Sequence, residues 1–162
     1  MAASLAETGE TAPARPAPIR SRADIVAAAR RWLGTPYRHQ ASAKGAGCDC
    51  LGLVRGIYRE VIGPDPAPIV PYTPDWADRD GGAALLAGAR AYLRERDRGE
   101  TEPGDVLLFR MARGAPAKHL GVLTDADRFI HAYSGRAVCE SYLTRWWRAR
   151  IVHVFSFPGV DL

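Results

Sequence analysis

Three stretches of the chain repeat apolar residues every three to four positions, and shorter stretches further on alternate them with polar ones. Ser21 opens the first: Ser21 and Asp24 form a capping-box-like pair, and Ile25, Ala28, Ala29, Trp32 and Leu33 follow at helical spacing. Gly34 and Pro36 stop it. Residues 35–48 have no period and read as loop. A second helix is predicted from Cys50 to Val61, through Leu51, Leu53, Val54, Ile57 and Tyr58, ended by Gly63-Pro64. Residues 63–78 hold five prolines and read as a surface connection. A third helix starts at Asp78 or Asp80, runs through Leu85, Leu86, Ala89, Tyr92 and Leu93, and ends near Gly99.

Beyond the turn Glu102-Pro103-Gly104-Asp105 the period falls to two. Strands are predicted at Val106–Met111, His119–Thr124, Arg128–Tyr133, Ala137–Cys139 and Arg150–Phe157, with one helical turn within Tyr142–Trp147. Helices first and an antiparallel sheet of about five strands afterwards make an α+β fold, with the N-terminal helices packed on the sheet. Residues 1–20, rich in Ala, Pro and Thr, read as a flexible arm, and residues 21–162 as one domain.

Composition narrows the function classes. With 162 residues, 47% apolar and 25% charged, the chain can bury a real core. Its net charge is +4, but the arginines are spread along the chain without a basic stripe, so no nucleic-acid partner is expected. No apolar run approaches the roughly 20 residues that span a bilayer. The N-terminus lacks the apolar core of a secretion signal, so synthesis in the cytoplasm is expected. Three cysteines, at 48, 50 and 139, do not make a disulfide framework.

The candidate chemistry begins at Cys50, where a glycine-rich loop turns into a helix. A thiol there lies near the positive end of the helix dipole, which favours the thiolate. His119 and His131 fall on neighbouring strands. With Asp125-Ala126-Asp127 as the hairpin tip, His131 faces Gly121 and His119 lies on the same face, the rings roughly 5 to 8 Å apart. A two-residue tip would put them on opposite faces. A helix packed on the histidine face would bring the Cys50 thiol to His119. Thiol, imidazole and a second polar group to orient the imidazole make a thiol hydrolase. Cys139 reads as a small buried hydrophobe, Cys48 as an accessible thiol without an assigned role, and His153 as a core-edge histidine. Zinc is disfavoured because C-x-C is not the usual ligand spacing, and no metal or cofactor is expected.

Four blocks carry a family resemblance: residues 29–37 with 48–54 (Cys48-Asp49-Cys50-Leu51-Gly52-Leu53-Val54), then Pro103–Phe109, then His119-Leu120-Gly121-Val122, then Phe129-Ile130-His131-Ala132. In this order they resemble the NlpC-type cell-wall cysteine peptidases, a papain-like α+β group that cleaves peptidoglycan stem peptides. The resemblance implies Cys50 as nucleophile, His119 as general base and His131 as the residue orienting it. It implies Tyr37 and Asp49 as substrate-binding residues that hold a free amino terminus. Leu51 stands where many members have serine, and His39-Gln40-Ala41 replaces a usual Gly-Gly. Cys50-Leu51-Gly52-Leu53 looks like the phage-type branch, including peptidases of phage tails and gene transfer agents. That implies tail hub or baseplate partners and action at the bacterial cell wall. The other expectations from the same fold are an amidase or acyltransferase, and a structural tail module with little activity.

Overall fold

The computed structural model describes residues 20–68, 71–73 and 79–160; the predicted N-terminal arm lies outside them except for Arg20. Helix α1 (Arg22–Arg31) begins as its sequence predicts. The Ser21 hydroxyl accepts from the Asp24 N–H at 3.2 Å, and the Asp24 carboxylate accepts from the Ser21 N–H at 2.8 Å. Two short strands, β1 (Ser42–Ala43) and β2 (Gly47–Cys48), form a small antiparallel pair inside the stretch expected to be loop. Helix α2 (Cys50–Val61) is capped by the Asp49 carboxylate, which accepts from the Gly52 N–H at 2.8 Å. Helix α3 (Ala83–Tyr92) follows, the Asp80 carboxylate accepting from the N–H groups of Gly82 and Ala84 at its start.

Six strands form the main sheet: β3 (Arg94–Arg96), β4 (Val106–Arg110), β5 (Ala117–Asp125), β6 (Arg128–Ala132), β7 (Val138–Tyr142) and β8 (Ile151–Ser156). Their order is β3-β8-β4-β5-β6-β7, every pairing antiparallel. Helix α4 (Arg145–Arg148) is the single turn expected before β8. The α+β order holds, with one strand more than expected. The extra strand is β3, read from sequence as the end of the third helix. That helix stops at Tyr92, and Arg94–Arg96 pair instead with the edge of β8. Polar side chains line the edge: Glu95 meets His153 at 2.6 Å, and Arg96 forms ion pairs with Asp105 and Glu102, each at 2.9 Å. His153 is a partly buried edge residue that meets the Glu95 carboxylate. Asp105 is fully buried between Arg96 and Arg22, the latter at 2.7 Å, and so ties α1 to the sheet.

The sheet buries both faces. On one, Leu120, Val122 and Ile130 pack with Ile25 of α1, and with Leu53, Val54 and Ile57 of α2. On the other, Leu107, Phe109, Leu123, Phe129 and Val154 pack with Leu143 and Trp147. Gly52 and Gly56 let α2 approach closely: a Cβ at Gly52 would lie 1.8 Å from the Ala41 carbonyl oxygen, and one at Gly56 2.0 Å from the Trp32 ring. The start of α2 is thus pressed against the loop that precedes it.

The β5–β6 hairpin differs from its predicted form in an instructive way. Asp125 pairs with Arg128, so the tip is the two residues Ala126 and Asp127, the length expected to separate the histidines. A bulge between Leu123 and Asp125 inserts Thr124 as an extra residue and restores the parity. Below it Val122 pairs with Ile130, a register that sets His131 opposite Gly121. The Thr124 hydroxyl secures the bulge, donating to the Glu140 carboxylate at 2.6 Å.

Candidate active site

His119 and His131 meet directly: Nε2 of His119 lies 2.8 Å from Nδ1 of His131, and the ring centroids are 5.1 Å apart. The far nitrogen of His131, Nε2, lies 2.9 Å from the Ser141 hydroxyl on β7. Ser141 in turn is 3.9 Å from the Cys139 sulfur. Both rings are enclosed by aromatic neighbours. Phe129 stacks against His131 with centroids 4.5 Å apart, and Trp147 lies 5.7 Å from His119 and 5.4 Å from His131. Tyr133 lies 5.8 Å from each. Burial pushes the His119 imidazole down to about 3, with a smaller contribution from His131, and pushes His131 down to about 4. Both are neutral imidazoles at physiological pH.

The histidines therefore share a face with Phe109, Phe129 and Trp147, whereas α2 packs on the Leu120 face. The expectation of a helix covering the histidine face is corrected: successive residues of a strand point to opposite sides, and Leu120 is the one that meets the helices. Cys50 instead reaches the strand's backbone. Its sulfur accepts from the N–H of Leu120, one residue beyond His119, and from the N–H groups of Leu51 and Cys50 at the start of α2. Among the described residues no hydrogen bond joins the thiol to either imidazole.

The resting thiol is not the thiolate that its helix position suggests. Burial first, and then the Asp49 carboxylate, push Cys50 up to about 12 against the three backbone N–H groups. Cys48, expected to be accessible, is fully buried and also pushed up to about 12, chiefly by burial. Thiol and imidazole are thus both neutral at rest.

Asp49 and Tyr37 lie beside the thiol. Asp49 is 3% exposed, its Oδ1 held by the Gly52 N–H and its Oδ2 by the Gln40 N–H at 2.8 Å and the Tyr72 hydroxyl. Gln40 takes a left-handed φ of 61°, a conformation costing a residue with a side chain about 1–2 kcal/mol. This is the stretch where a Gly-Gly was expected. Tyr37 is half-buried and pinned by backbone pairing to Cys48, and burial, then Cys50 and Asp49, raise its phenol. A cavity of about 540 Å³ opens beyond Leu51 and Tyr72, toward Leu85 and Tyr92 of the α3 region.

Sequence reasoning missed Ser141, Trp147 and Tyr72. Ser141 is two residues past Cys139, the residue paired with His131, and so shares that face; the strand was predicted to stop at Cys139. Trp147 lies in a turn too short to show a period. Tyr72 sits in a proline-rich connection where no periodicity operates. Among the described residues, no cluster of three or more His, Cys, Asp or Glu could hold a metal ion, and no helix is long and apolar enough to cross a membrane.

Comparisons with known proteins give the family and the fold. The chain is 24% identical over 146 residues to the gamma-DL-glutamyl hydrolase of Bacillus subtilis, covering 90% of this chain and 32% of that protein. It is 26% identical over 125 residues to the probable endopeptidase NlpC of Escherichia coli, covering 74% of this chain and 70% of that protein. The murein DD-endopeptidase MepS/murein LD-carboxypeptidase of the same species is 28% identical over 120 residues. The chain spans about a third of the first relative and about half of the last. The crystal structure of the NlpC/p60 domain of the peptidoglycan hydrolase SagA matches the fold with a TM-score of 0.61 at 21% identity, over 85% of this chain and 99% of that one. The sequence model of the NlpC/P60 family matches residues 34–156, well over half of the chain, and the chain belongs to that family.

Proposed function

We propose that the protein is a cysteine endopeptidase that hydrolyses amide bonds in peptidoglycan stem peptides. The observation that carries this reading is a thiol lodged at a helix start, against the backbone N–H next to a directly bonded histidine pair. The contacts accommodate one proton chain that leaves a base facing away from His131. With Nε2 of His119 donating to Nδ1 of His131, His119 keeps a free lone pair on Nδ1, and His131 donates from Nε2 to Ser141. His119 Nδ1 takes the Cys50 proton as the sulfur attacks the amide carbonyl. The backbone N–H of Cys50, which faces the sulfur at rest, turns to the oxyanion as the sulfur bonds to carbon. The C–N bond then breaks, the leaving amine takes the proton from His119, and a thioester remains. Water attacks it, giving its proton to His119, which returns it to the sulfur as the C–S bond breaks. Because both partners start neutral, the ion pair forms only during attack. The names of the relatives, two of them endopeptidases, support the reaction class.

The test is mass spectrometry of muropeptides released from purified cell wall. Wild-type protein should give new stem-peptide fragments that Cys50→Ala does not. Identical fragments from both proteins, or none from either, would overturn the reading. Within it, the setting we infer is a phage-like tail or baseplate acting at the cell wall. That setting is supported by the Cys50-Leu51-Gly52-Leu53 resemblance alone.

Ser141 is a positioning residue in this scheme. Ser141→Ala should lower kcat by roughly 2- to 10-fold, the worth of one ordinary hydrogen bond, with KM little changed. Ser141→Thr, which keeps the hydroxyl, should restore most of the rate. Steady-state kinetics on a stem-peptide fragment measures both.

A further inference from the structure

The rings around the histidine pair are of two kinds. Phe109 and Phe129 are fully buried. Trp147 is partly exposed and separates the imidazoles from solvent, its ring tilted 34° to His119 and edge-on to His131. The same indole packs on the two phenylalanines, with centroids 5.0 Å from Phe109 and 5.1 Å from Phe129. Helix α4 is four residues long and has no side-chain cap at its start, so this packing rather than helix propensity holds it in place. Arg150 secures the turn from outside: its guanidinium stacks on Trp146 at 3.5 Å and donates to the carbonyls of Trp146 at 3.0 Å and Met111 at 3.3 Å.

The bond between the imidazoles sets a condition on their charge. Nδ1 of His131 accepts only while it keeps its lone pair. A proton there would leave two donors facing each other. His119 would then have to change tautomer, moving its lone pair to Nε2 and losing the one on Nδ1 that a base needs. Among the described residues no charged side chain bonds to either ring. Strand β4 presents Phe109, the end of β6 Tyr133, and β7 Ser141 and Cys139. Arg145 and Arg148 flank Trp147 but are exposed, and the Cys50 sulfur of α2 reaches only the backbone of Leu120. We propose that Trp147 is a positioning residue for the histidine pair: by keeping water off both imidazoles it holds His131 uncharged and able to accept, and so keeps the Nδ1 lone pair of His119 free. Burial is the first cause of the lowered values of both rings, and Trp147 is part of that cover on its solvent side. The consequence for turnover rests on the peptidase reading; the state of the pair does not.

Titration of the histidine ring nitrogens by NMR, in the full chain from about pH 8 to about pH 5, tests it. In wild type both rings should stay uncharged throughout. Trp147→Ala should bring His131 to half-protonation within this range, a rise of about one pH unit or more. Trp147→Phe, which keeps a ring in place, should hold most of the wild-type behaviour. Trp147→Leu, apolar but smaller, should move in the same direction as alanine and decides the matter if the alanine variant does not fold. The acid limb of kcat/KM on a stem-peptide fragment should move up by the same interval as the ring. A protein without turnover would refute the peptidase reading, while the ring titration would still decide this one. Wild-type rings already half-protonated above about pH 5 overturn the proposal. So does a His131 titration unmoved in a folded Trp147→Ala or Trp147→Leu protein.

Discussion

His119→Ala lowers kcat on a stem-peptide fragment by about 10²- to 10⁴-fold, the usual worth of a general base, while His131→Asn keeps a measurable part of the rate. The difference follows from the direction of the chain. An asparagine side-chain oxygen can still accept the Nε2 proton of His119 and so keep its tautomer and ring orientation. Nothing replaces the lone pair itself. The resting charge state sharpens the expectation. A Cys50 thiol held at about 12 has no standing thiolate population to fall back on when its base is gone. Steady-state kinetics of the two variants checks this, and equal, small losses would sink the division of roles.

Acidification removes stability steeply between about pH 6.5 and pH 4. In the unfolded chain both histidines titrate near 6.5, whereas in the fold they are held at about 3 and about 4. Their depressed values make stability fully present above the unfolded value. As the pH falls through this window, the unfolded chain binds two protons that the folded one refuses. Each contributes about 1.4 kcal/mol per pH unit, so the pair contributes about 2.7. That is a large slice of the roughly 5–15 kcal/mol that holds a domain together. Below the window the ion-paired carboxylates Glu60, Asp65 and Glu95, held below their ordinary range, add their own losses. Urea unfolding from pH 7 to pH 4 checks the slope. The double variant His119→Ala, His131→Asn should be markedly flatter across the same range. An equally steep variant would show that the slope lies elsewhere.

The starts of the first and third helices were legible because Ser21, Asp24 and Asp80 make local hydrogen bonds that sequence spacing reports, whereas the Asp49 cap of α2 was not read from the sequence. The histidine pair was legible because strand alternation puts residues 119 and 131 on one face once parity is settled. Parity, however, depended on a bulge at Thr124, held by a side chain from a third strand, and no local pattern encodes that. Which face of the sheet the helices would cover was misjudged. The apolar partners of the histidines, Phe129 and Trp147, are as hydrophobic as Leu120 and Ile130, so composition alone does not rank the faces. The thiol's charge state was also misjudged: the helix start does donate N–H groups to the sulfur, but burial and Asp49 outweigh them. Arg94–Arg96 hid as a strand because its partner is β8, far along the chain (Arg94 lies opposite Ser156), to which Glu95 also reaches through His153.

The Thr124 bulge also limits how this hairpin can change in length. Deleting Thr124 alone would shift β6 by one position against β5, turning Ile130 toward Phe109 and Trp147 and sending His131 into the apolar layer beneath α2. Removing one residue from the tip would do the same unless the bulge were lost with it. Length changes at this turn therefore remain compatible with a working histidine pair only in steps of two, or when a loss in one place is matched by a gain in the other. A tip engineered to carry an insert, for instance a peptide tag between Ala126 and Asp127, should respect that even count.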